Sequence, residues 1–264
     1  MTERWQVAGT AAEAYERYLV PAFFGPFADR LIELAAPVAT DRVLDVACGT
    51  GAVARRIAPL VSATTGVDLN EGMLAVAGAA EPAVDWLAAD ACALPIPDAS
   101  FDLVLCQQGV QFLPDRASGL REMRRVLAPG GRLALGVWRA PEHHAAWLRL
   151  AEALERHAGP ELGDLMRAPF SFSDPDELRA LVGGAGLRDI RVRIVIEAVR
   201  FPSAMDMLVR QVAASPLAGP VAALDDDARA ALALDFVASM RGHADDDGIC
   251  FPQETHVVTA SAPA

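Results

Sequence analysis

An apolar run that carries an acidic residue and leads into a glycine turn is the first feature of this chain that could do chemistry. The segment is VLDVACGTG, Val43–Gly51, in which Asp45 precedes Gly49 and Gly51. The turn GTGAVA fits the G-x-G-x-x-[GA] fingerprint of dinucleotide loops, and Asp68 ends the next apolar run, where an acid can bind ribose hydroxyls. A carboxylate at position 45 would repel a pyrophosphate. It would favour an ammonium group, either directly or by fixing the loop.

A cofactor with an amino-acid end, a ribose and an adenine but no phosphate satisfies this pattern, and S-adenosylmethionine (SAM) is such a molecule. Four sequence blocks extend the case: VLDVACGTG, TGVDLNEGML, LAADACALPIPDASFDLVLCQQGVQFLPD and EMRRVLAPGGRLALGVW. In this order, between Val43 and Trp138, they resemble the class I SAM-dependent methyltransferases, in particular the methyltransferase type 11 and UbiE-like group that acts on small molecules.

The resemblance implies a set of cofactor-binding residues, with S-adenosylhomocysteine (SAH) as the product. They are Asp45, Ala47, Gly49 and Gly51 around the methionine portion, Asp68 at the ribose, Leu69 and Met73 beside the adenine, Asp90 and Ala91 at its amino group and ring, and Gln107 and Gln108 near the transferring methyl. Ala47 departs from the family, which often has glycine there, and an alanine argues against a positive φ at this position. The alternatives are that Asp45 and Asp68 only stabilise turns and that Met73 belongs to the core.

Two adjacent histidines, His143 and His144, are the best candidates for a catalytic base. They follow the fifth predicted strand on the side of the sheet where ligands bind, and imidazole titrates near neutral pH. A base is needed only where the acceptor must lose a proton, since methyl transfer is an in-line displacement that depends mainly on positioning. The alternative is that both lie on a solvated helical turn. No metal site is predicted, because no further ligand lies at i+4 of either histidine.

The acceptor pocket is expected to take aromatic and amide side chains from several segments. The candidates are Tyr15, Tyr18, Phe23, Gln111, Phe112 and Trp138. Aromatic faces near a sulfonium are favourable by cation–π attraction. Phe23 and Phe24 as plain core residues are the alternative.

Charge and composition narrow the class of partner. A formal net charge of -12 over 264 residues disfavours a nucleic-acid or anionic-membrane surface and suits a small-molecule acceptor. The four cysteines lack zinc-site spacing, and the N-terminus MTERWQVAGT has no apolar leader, so we expect a cytoplasmic protein. A homodimer stays open.

Alternating strand-like and helical segments predict a single α/β domain over residues 1–264, a Rossmann-like seven-stranded sheet that is mostly parallel with its last strand antiparallel. Residues 1–40 form an N-terminal helical cover that the PAFFGPF segment interrupts. Residues 41–138 form the SAM-binding core, and residues 139–201 and 248–264 complete the sheet. The Ala-rich stretch 202–247 is too long for a hairpin loop and is expected to be a helical lid insertion.

Two other functions remain open. An NAD(P)-dependent oxidoreductase could use the same sheet, but the chain has only two tyrosines, both before the glycine loop, and no Tyr-x-x-x-Lys pattern. A SAM-binding protein that does not transfer a methyl group would give the same motifs.

Overall fold

The apolar runs of the central segment form strands of one sheet in the computed structural model, which describes residues 10–264. The prediction about the N-terminal leader concerns residues that lie almost wholly outside this range. The strands are β1 (Arg42–Val46), β2 (Ala63–Asp68), β3 (Asp85–Ala88), β4 (Phe101–Gln107), β5 (Leu127–Trp138), β6 (Arg188–Phe201), β7 (Ala244–Asp245) and β8 (Gly248–Ser261).

The sheet follows the order β3-β2-β1-β4-β5-β8-β6, and the two-residue β7 pairs with β8. β1 to β5 are mutually parallel, whereas β8 runs antiparallel to both β5 and β6. The predicted α/β class and mostly parallel sheet are confirmed. The strand order reverses between β1 and β4, and ligands of open α/β sheets bind at the carboxyl ends of the strands at such a switch point.

Helices cover both faces of this sheet. They are α1 (Thr10–Ala14), α2 (Gly25–Ala35), α3 (Ala54–Ile57), α4 (Glu71–Ala80), α5 (Arg116–Val126), α6 (Ala145–Ala158), α7 (Pro160–Arg167), α8 (Pro175–Gly184), α9 (Ala204–Ala213), α10 (Ala218–Ala222) and α11 (Asp226–Ser239). Alternate residues of the central strands are buried on opposite faces, Leu44 and Val104 on one and Val43 and Leu103 on the other. A parallel sheet buried on both faces needs such continuous apolar strands.

The N-terminal cover differs from the sequence prediction. The prolines of PAFFGPF do not interrupt it, because Tyr15–Phe24 forms a π-helix that contains Pro21 and joins α1 directly to α2. The amide of Gly25 bonds to the carbonyl of Val20, five residues back, and Pro26 occupies the first turn of α2, where a missing N–H costs little. The predicted break is therefore wrong.

The chain between β6 and β8 holds α9, α10 and α11. Their buried faces join one apolar cluster with α6 and the N-terminal helices, through residues such as Met207, Phe236, Leu150 and Phe23. None of the helices within residues 10–264 is both long and apolar enough to cross a bilayer.

Candidate active site

A cavity of about 380 Å³ opens at the carboxyl ends of β1 and β4, at the switch point of the sheet. The glycine turn after β1, the turn after β2, the Asp90 segment after β3 and the Gln107–Gly109 segment after β4 supply one part of its wall. The N-terminal helices, the segment after β5 and helix α9 supply the rest. The topology thus collects residues that lie far apart in the sequence.

Asp45 stabilises the glycine turn through a hydrogen bond to the helix that follows it. Its side chain is buried, and Oδ2 accepts a hydrogen bond of 3.0 Å from the backbone N–H of Ala54 in the first turn of α3. Its second oxygen, Oδ1, is also buried but has no hydrogen-bond partner in the structure. Burial is the main cause that raises the pKa of Asp45 to about 8, opposed by the Ala54 hydrogen bond. One carboxylate oxygen thus holds the loop, and the other remains for a ligand.

Asp68 joins the turns after β1 and β2. Oδ2 accepts from the N–H of Gly49 and Oδ1 from the N–H of Asn70, each at 2.8 Å. Burial raises the pKa of Asp68, and these backbone hydrogen bonds oppose the shift. A carboxylate has about four acceptor sites, so Asp68 keeps acceptor capacity for hydroxyl groups.

Ala47 is in the left-handed region with φ of 55°. The inference from its side chain that this position has a negative φ is wrong. The backbone must turn sharply here to lead from β1 into the glycine loop, and the methyl group packs so closely on Gly109 that a Cβ at position 109 would lie 2.6 Å from it. The fold imposes on alanine a conformation that glycine adopts without steric cost.

Replacing Ala47 with glycine should therefore stabilise the protein. The left-handed conformation destabilises a non-glycine residue by about 1–2 kcal/mol, and glycine avoids this cost. The greater freedom of glycine in the unfolded chain offsets about 0.5–1 kcal/mol of that gain. We expect a net gain of up to about 1.5 kcal/mol in the free energy of unfolding, measured by urea denaturation. Ala75→Gly, on the exposed face of α4, is the control and should lose about 1 kcal/mol. A loss of the same size in Ala47→Gly would contradict the strain argument.

The charge of the cavity favours a cation. Asp45 and Asp68 take part in none of the ion pairs found within residues 10–264. Tyr15 packs nearby, with its ring 4.8 Å from that of Phe24, and burial together with the charge of Asp68 raises the pKa of its hydroxyl. Once ionised, these two acids would repel a pyrophosphate, and an ammonium group beside them would favour their ionised forms.

The side chains predicted beside the adenine lie together at this cavity. Leu69 is 66% exposed although it is apolar, Met73 is buried on α4, and Ala91 is buried after β3. Asp90 is exposed and accepts a hydrogen bond from the N–H of Cys92 at 2.8 Å. An exposed leucine beside two acids gives an apolar ring a surface to cover.

Gln107 and Gln108 are both at the cavity, but their side chains have different partners. Gln107 donates from Nε2 to the carbonyl of Phe24 at 2.8 Å, which leaves its buried Oε1 without a partner. Gln108 has φ of 55° and donates from Nε2 to Oγ1 of Thr255 on β8 at 3.0 Å. Gln107 is thus the one whose acceptor atom is available to a ligand.

Several predicted residues do not reach the cavity wall. Gly51 lies under the loop at φ of 81°, against Trp86. The ring of Phe23 is buried among those of Trp147, Phe201 and Phe251. Neighbouring helical residues point in different directions, and Phe24 is the one that faces the cavity. Tyr18 contacts Arg17 and Arg210, and Gln111 donates to Gln108 at 3.4 Å. Tyr15, Phe112 and Trp138 do line it.

Neither histidine candidate lines the cavity either. His144 is fully buried at the start of α6, where its ring lies 4.6 Å from that of Phe170 and Nε2 is 3.1 Å from the carbonyl oxygen of Arg139. His143 points elsewhere, with Nδ1 3.9 Å from the Glu254 carboxylate. The structure therefore offers no geometric support for histidine as the base.

His144 should make the protein sensitive to acid. Burial lowers its pKa to about 4, opposed by the nearby Gln253 and by the Arg139 carbonyl. The unfolded chain takes up this proton near pH 6.5 and the folded one does not, so stability falls as the pH drops from about 6.5 to 4. In thermal melts His144→Leu should lose part of this acid-induced drop, whereas His143→Ala should keep it. Equal drops in wild type and His144→Leu would contradict the assignment.

Among the cavity residues that the sequence analysis did not propose, four bear on the acceptor side of the site. Phe24 was considered only as core, and Trp147, Phe170 and Gln211 lie in helical segments whose apolar spacing suits a core equally well. With Trp138, the three aromatic residues form what we call the aromatic lining: Phe24, Trp138, Trp147 and Phe170. Gln211 carried one usable signal, since it is polar at a position of α9 that the apolar spacing assigns to the buried face.

The geometry fits SAM at the acidic part of the cavity. Asp68 keeps acceptor capacity for ribose hydroxyls, Asp45 has a buried oxygen without a partner for an ammonium group, and Leu69 provides a surface for the adenine. Gly49, at φ of 56°, leaves open space where a side chain would stand. Fold and site together define the class of α/β enzymes that bind an adenosine cofactor at the switch point.

Comparisons with known proteins agree. A family model described as Methyltransferase domain matches residues 44–135. The chain is 34% identical over 174 residues to the demethylmenaquinone methyltransferase of Thermus thermophilus. This match covers 60% of this chain and 79% of that enzyme. It is 35% identical to the ubiquinone/menaquinone biosynthesis C-methyltransferase UbiE of Geobacter sulfurreducens, over 56% of this chain and 65% of that enzyme.

Other curated relatives match over 42–47% of their own lengths. Among solved structures, the YcgJ protein of Bacillus subtilis has the same fold with a TM-score of 0.61 at 21% identity, covering 90% of this chain and 98% of YcgJ. The chain belongs to the class I SAM-dependent methyltransferases, in the UbiE-like group, whose cofactor is SAM.

Proposed function

We propose that this chain methylates an apolar aromatic small molecule that carries oxygen substituents, such as a quinol. The observation that carries the proposal is the division of one cavity into an acidic part and an aromatic lining. The acids suit SAM. Trp138, Trp147 and Phe170, each less than 10% exposed, suit a flat apolar acceptor.

Two of the relatives support this class of acceptor, since their names describe menaquinone and ubiquinone/menaquinone methylation. The cavity wall also has no histidine, lysine or arginine among residues 10–264. An acceptor whose own ring is electron-rich, or whose hydroxyl ionises readily, needs no strong base from the protein. A quinol satisfies both conditions at a carbon or at a phenolic oxygen.

The residues of this chain would then act by holding and positioning. SAM supplies the methyl group. Asp45 and Asp68 hold the amino-acid end and the ribose, and the aromatic lining places the acceptor ring and excludes water. Helix α9 covers the cavity through Gln211 and Ala214, which is the basis for proposing that residues 202–247 act as a lid.

Incubation with SAM and 1,4-dihydroxynaphthalene under reducing conditions tests this function. We expect SAH and a product 14 mass units heavier, and nuclear magnetic resonance of the product would show whether carbon or oxygen carries the methyl group. Ethanolamine, a polar aliphatic amine, is the control acceptor and should not react. Faster methylation of ethanolamine would contradict the proposal. Tight binding of SAH with no methylation of any aromatic acceptor would favour a SAM-binding protein without transferase activity.

A further inference from the structure

Helix α9 carries an amide at a position where its own sequence pattern asks for an apolar side chain. The buried residues of α9 are Ala204, Met207, Leu208 and Gln211, which recur at the three- and four-residue spacing of one helix face. The first three are apolar and pack in the core. Gln211 is only 1% exposed, so it is as deeply buried as its apolar neighbours.

Neither polar atom of this buried amide has a partner among residues 10–264. Oε1 and Nε2 of Gln211 both lack a hydrogen bond in the structure. A buried polar group left unsatisfied costs about 1–3 kcal/mol, and a glutamine leaves two such groups. A leucine would fit the pattern of the helix without this cost. The amide therefore contributes nothing visible to folding.

The position of Gln211 supplies the reason for an amide. Gln211 and Ala214 line the cavity from the insertion, and Trp147 and Phe170 line it from the segment after β5. Aromatic and aliphatic walls bind a flat ring but do not distinguish a hydroxylated ring from the bare hydrocarbon. An amide both donates and accepts, so it can bind a hydroxyl through Oε1 or a carbonyl through Nε2.

We propose that Gln211 recognises an oxygen substituent of the methyl acceptor and thereby sets the specificity of the cavity for hydroxylated or quinonoid rings. This inference rests on the proposed function. Sites built to bind a substrate hydroxyl reject the analogue that lacks it, because their own polar groups are then left unpaired. Gln211 is a specificity residue in this sense, and methyl transfer itself does not pass through it.

Two consequences separate this role from a structural one. Gln211→Leu removes two unsatisfied groups, so its melting temperature without ligands should rise above that of wild type. The same variant should lose the preference for an oxygenated ring while it still binds SAH with unchanged affinity. A residue that merely supports the fold would change stability in the opposite direction and would leave the preference intact.

The experiment compares two probes in calorimetric titrations of SAH-saturated protein: 1,4-dihydroxynaphthalene, kept reduced, and naphthalene. The ratio of the two dissociation constants is compared between wild type and each variant. The free energy of hydration of the unbound probes is the same in both cases and therefore cancels. From wild type to Gln211→Leu we expect this preference to fall by about tenfold or more, which corresponds to one lost hydrogen bond of about 1.4 kcal/mol. Met207→Leu is the matched control on the same helix, buried and apolar, and should keep the wild-type ratio.

The outcomes are distinguishable. An unchanged ratio in Gln211→Leu, with both probes bound, overturns this inference and leaves the proposed function intact. A lower melting temperature of Gln211→Leu than of wild type also overturns it, because the amide would then have partners in the folded protein. Failure of SAH-saturated wild type to bind either probe would contradict the proposed function, and the inference would fall with it.

Discussion

Replacing Asp68 with alanine should reduce the affinity for SAH by about a hundredfold or more while the protein still folds. The two carboxylate oxygens of Asp68 hold the turns after β1 and β2 through Gly49 and Asn70, and their remaining acceptor sites are the ones available to the ribose. Hydrogen bonds to a charged group contribute about 1.5–3 kcal/mol each, and every 1.4 kcal/mol is tenfold in affinity. Losing two such bonds accounts for the expected effect.

Calorimetric titration with SAH measures this loss directly. Asp85→Ala is the control, because Asp85 is an exposed acid at the start of β3 that lies outside the cavity wall, and it should bind like wild type. A thermal melt shows whether Asp68→Ala remains folded, and a drop of several degrees is expected from the two lost backbone hydrogen bonds. A folded Asp68→Ala protein with wild-type affinity would remove Asp68 from the cofactor site.

The affinity for SAH should rise with pH between about 6 and 8, by up to tenfold per unit. Burial raises the pKa of Asp45 to about 8 in the free protein, so the carboxyl is mostly protonated at pH 7. A ligand ammonium group beside Oδ1 favours the ionised form and lowers this pKa. Binding must then release up to one proton near pH 7, and the affinity reaches its plateau above pH 8.

Titrations in two buffers with different ionisation enthalpies measure the released proton. Asp45→Asn is the matched control, since its amide oxygen can still accept from Ala54 while its charge is gone. Its affinity should depend less on pH in this range, and the ligand's own amino group titrates equally with both proteins. Identical pH profiles in wild type and Asp45→Asn would show that Asp45 acts only on the loop.

The same carboxyl affects the stability of the free protein in a defined direction. Its pKa is near 4 in an unfolded chain and about 8 in the folded one. The folded state therefore holds a proton that the unfolded state loses, and this contribution to stability is complete below pH 4 and disappears as the pH rises towards 8. Bound cofactor would remove this sensitivity.

Most of the cofactor site could be predicted from the sequence because its motifs are local. Asp45 and Asp68 stand at the ends of strands whose apolar runs are visible in the sequence, and Gly49 lies in the turn after the first of them. Parallel strands bring their carboxyl ends to one edge of the sheet. The conformation of Ala47 could not be predicted, since a residue type states a preference and the path from β1 into the loop overrides it.

The acceptor side could not be predicted in the same way. A buried aromatic residue gives the same helical spacing whether it faces a core or a cavity, so Phe23 and Phe24 are indistinguishable in sequence although only Phe24 reaches the wall. The histidines do not reach the cavity wall, for a related reason. Their proximity to the fifth strand is a fact of sequence, but the turn after Trp138 buries His144 behind Phe170.

The sequence by itself determined the fold class, the acidic residues at the ends of the first two strands and the methyl donor. Each of these rests on short segments with strong local preferences. The tertiary structure alone decided which aromatic side chains line the cavity and that Gln211 of α9 joins them. These contacts unite segments up to about two hundred residues apart, and their geometry depends on how helices pack. Local sequence preference does not determine that packing.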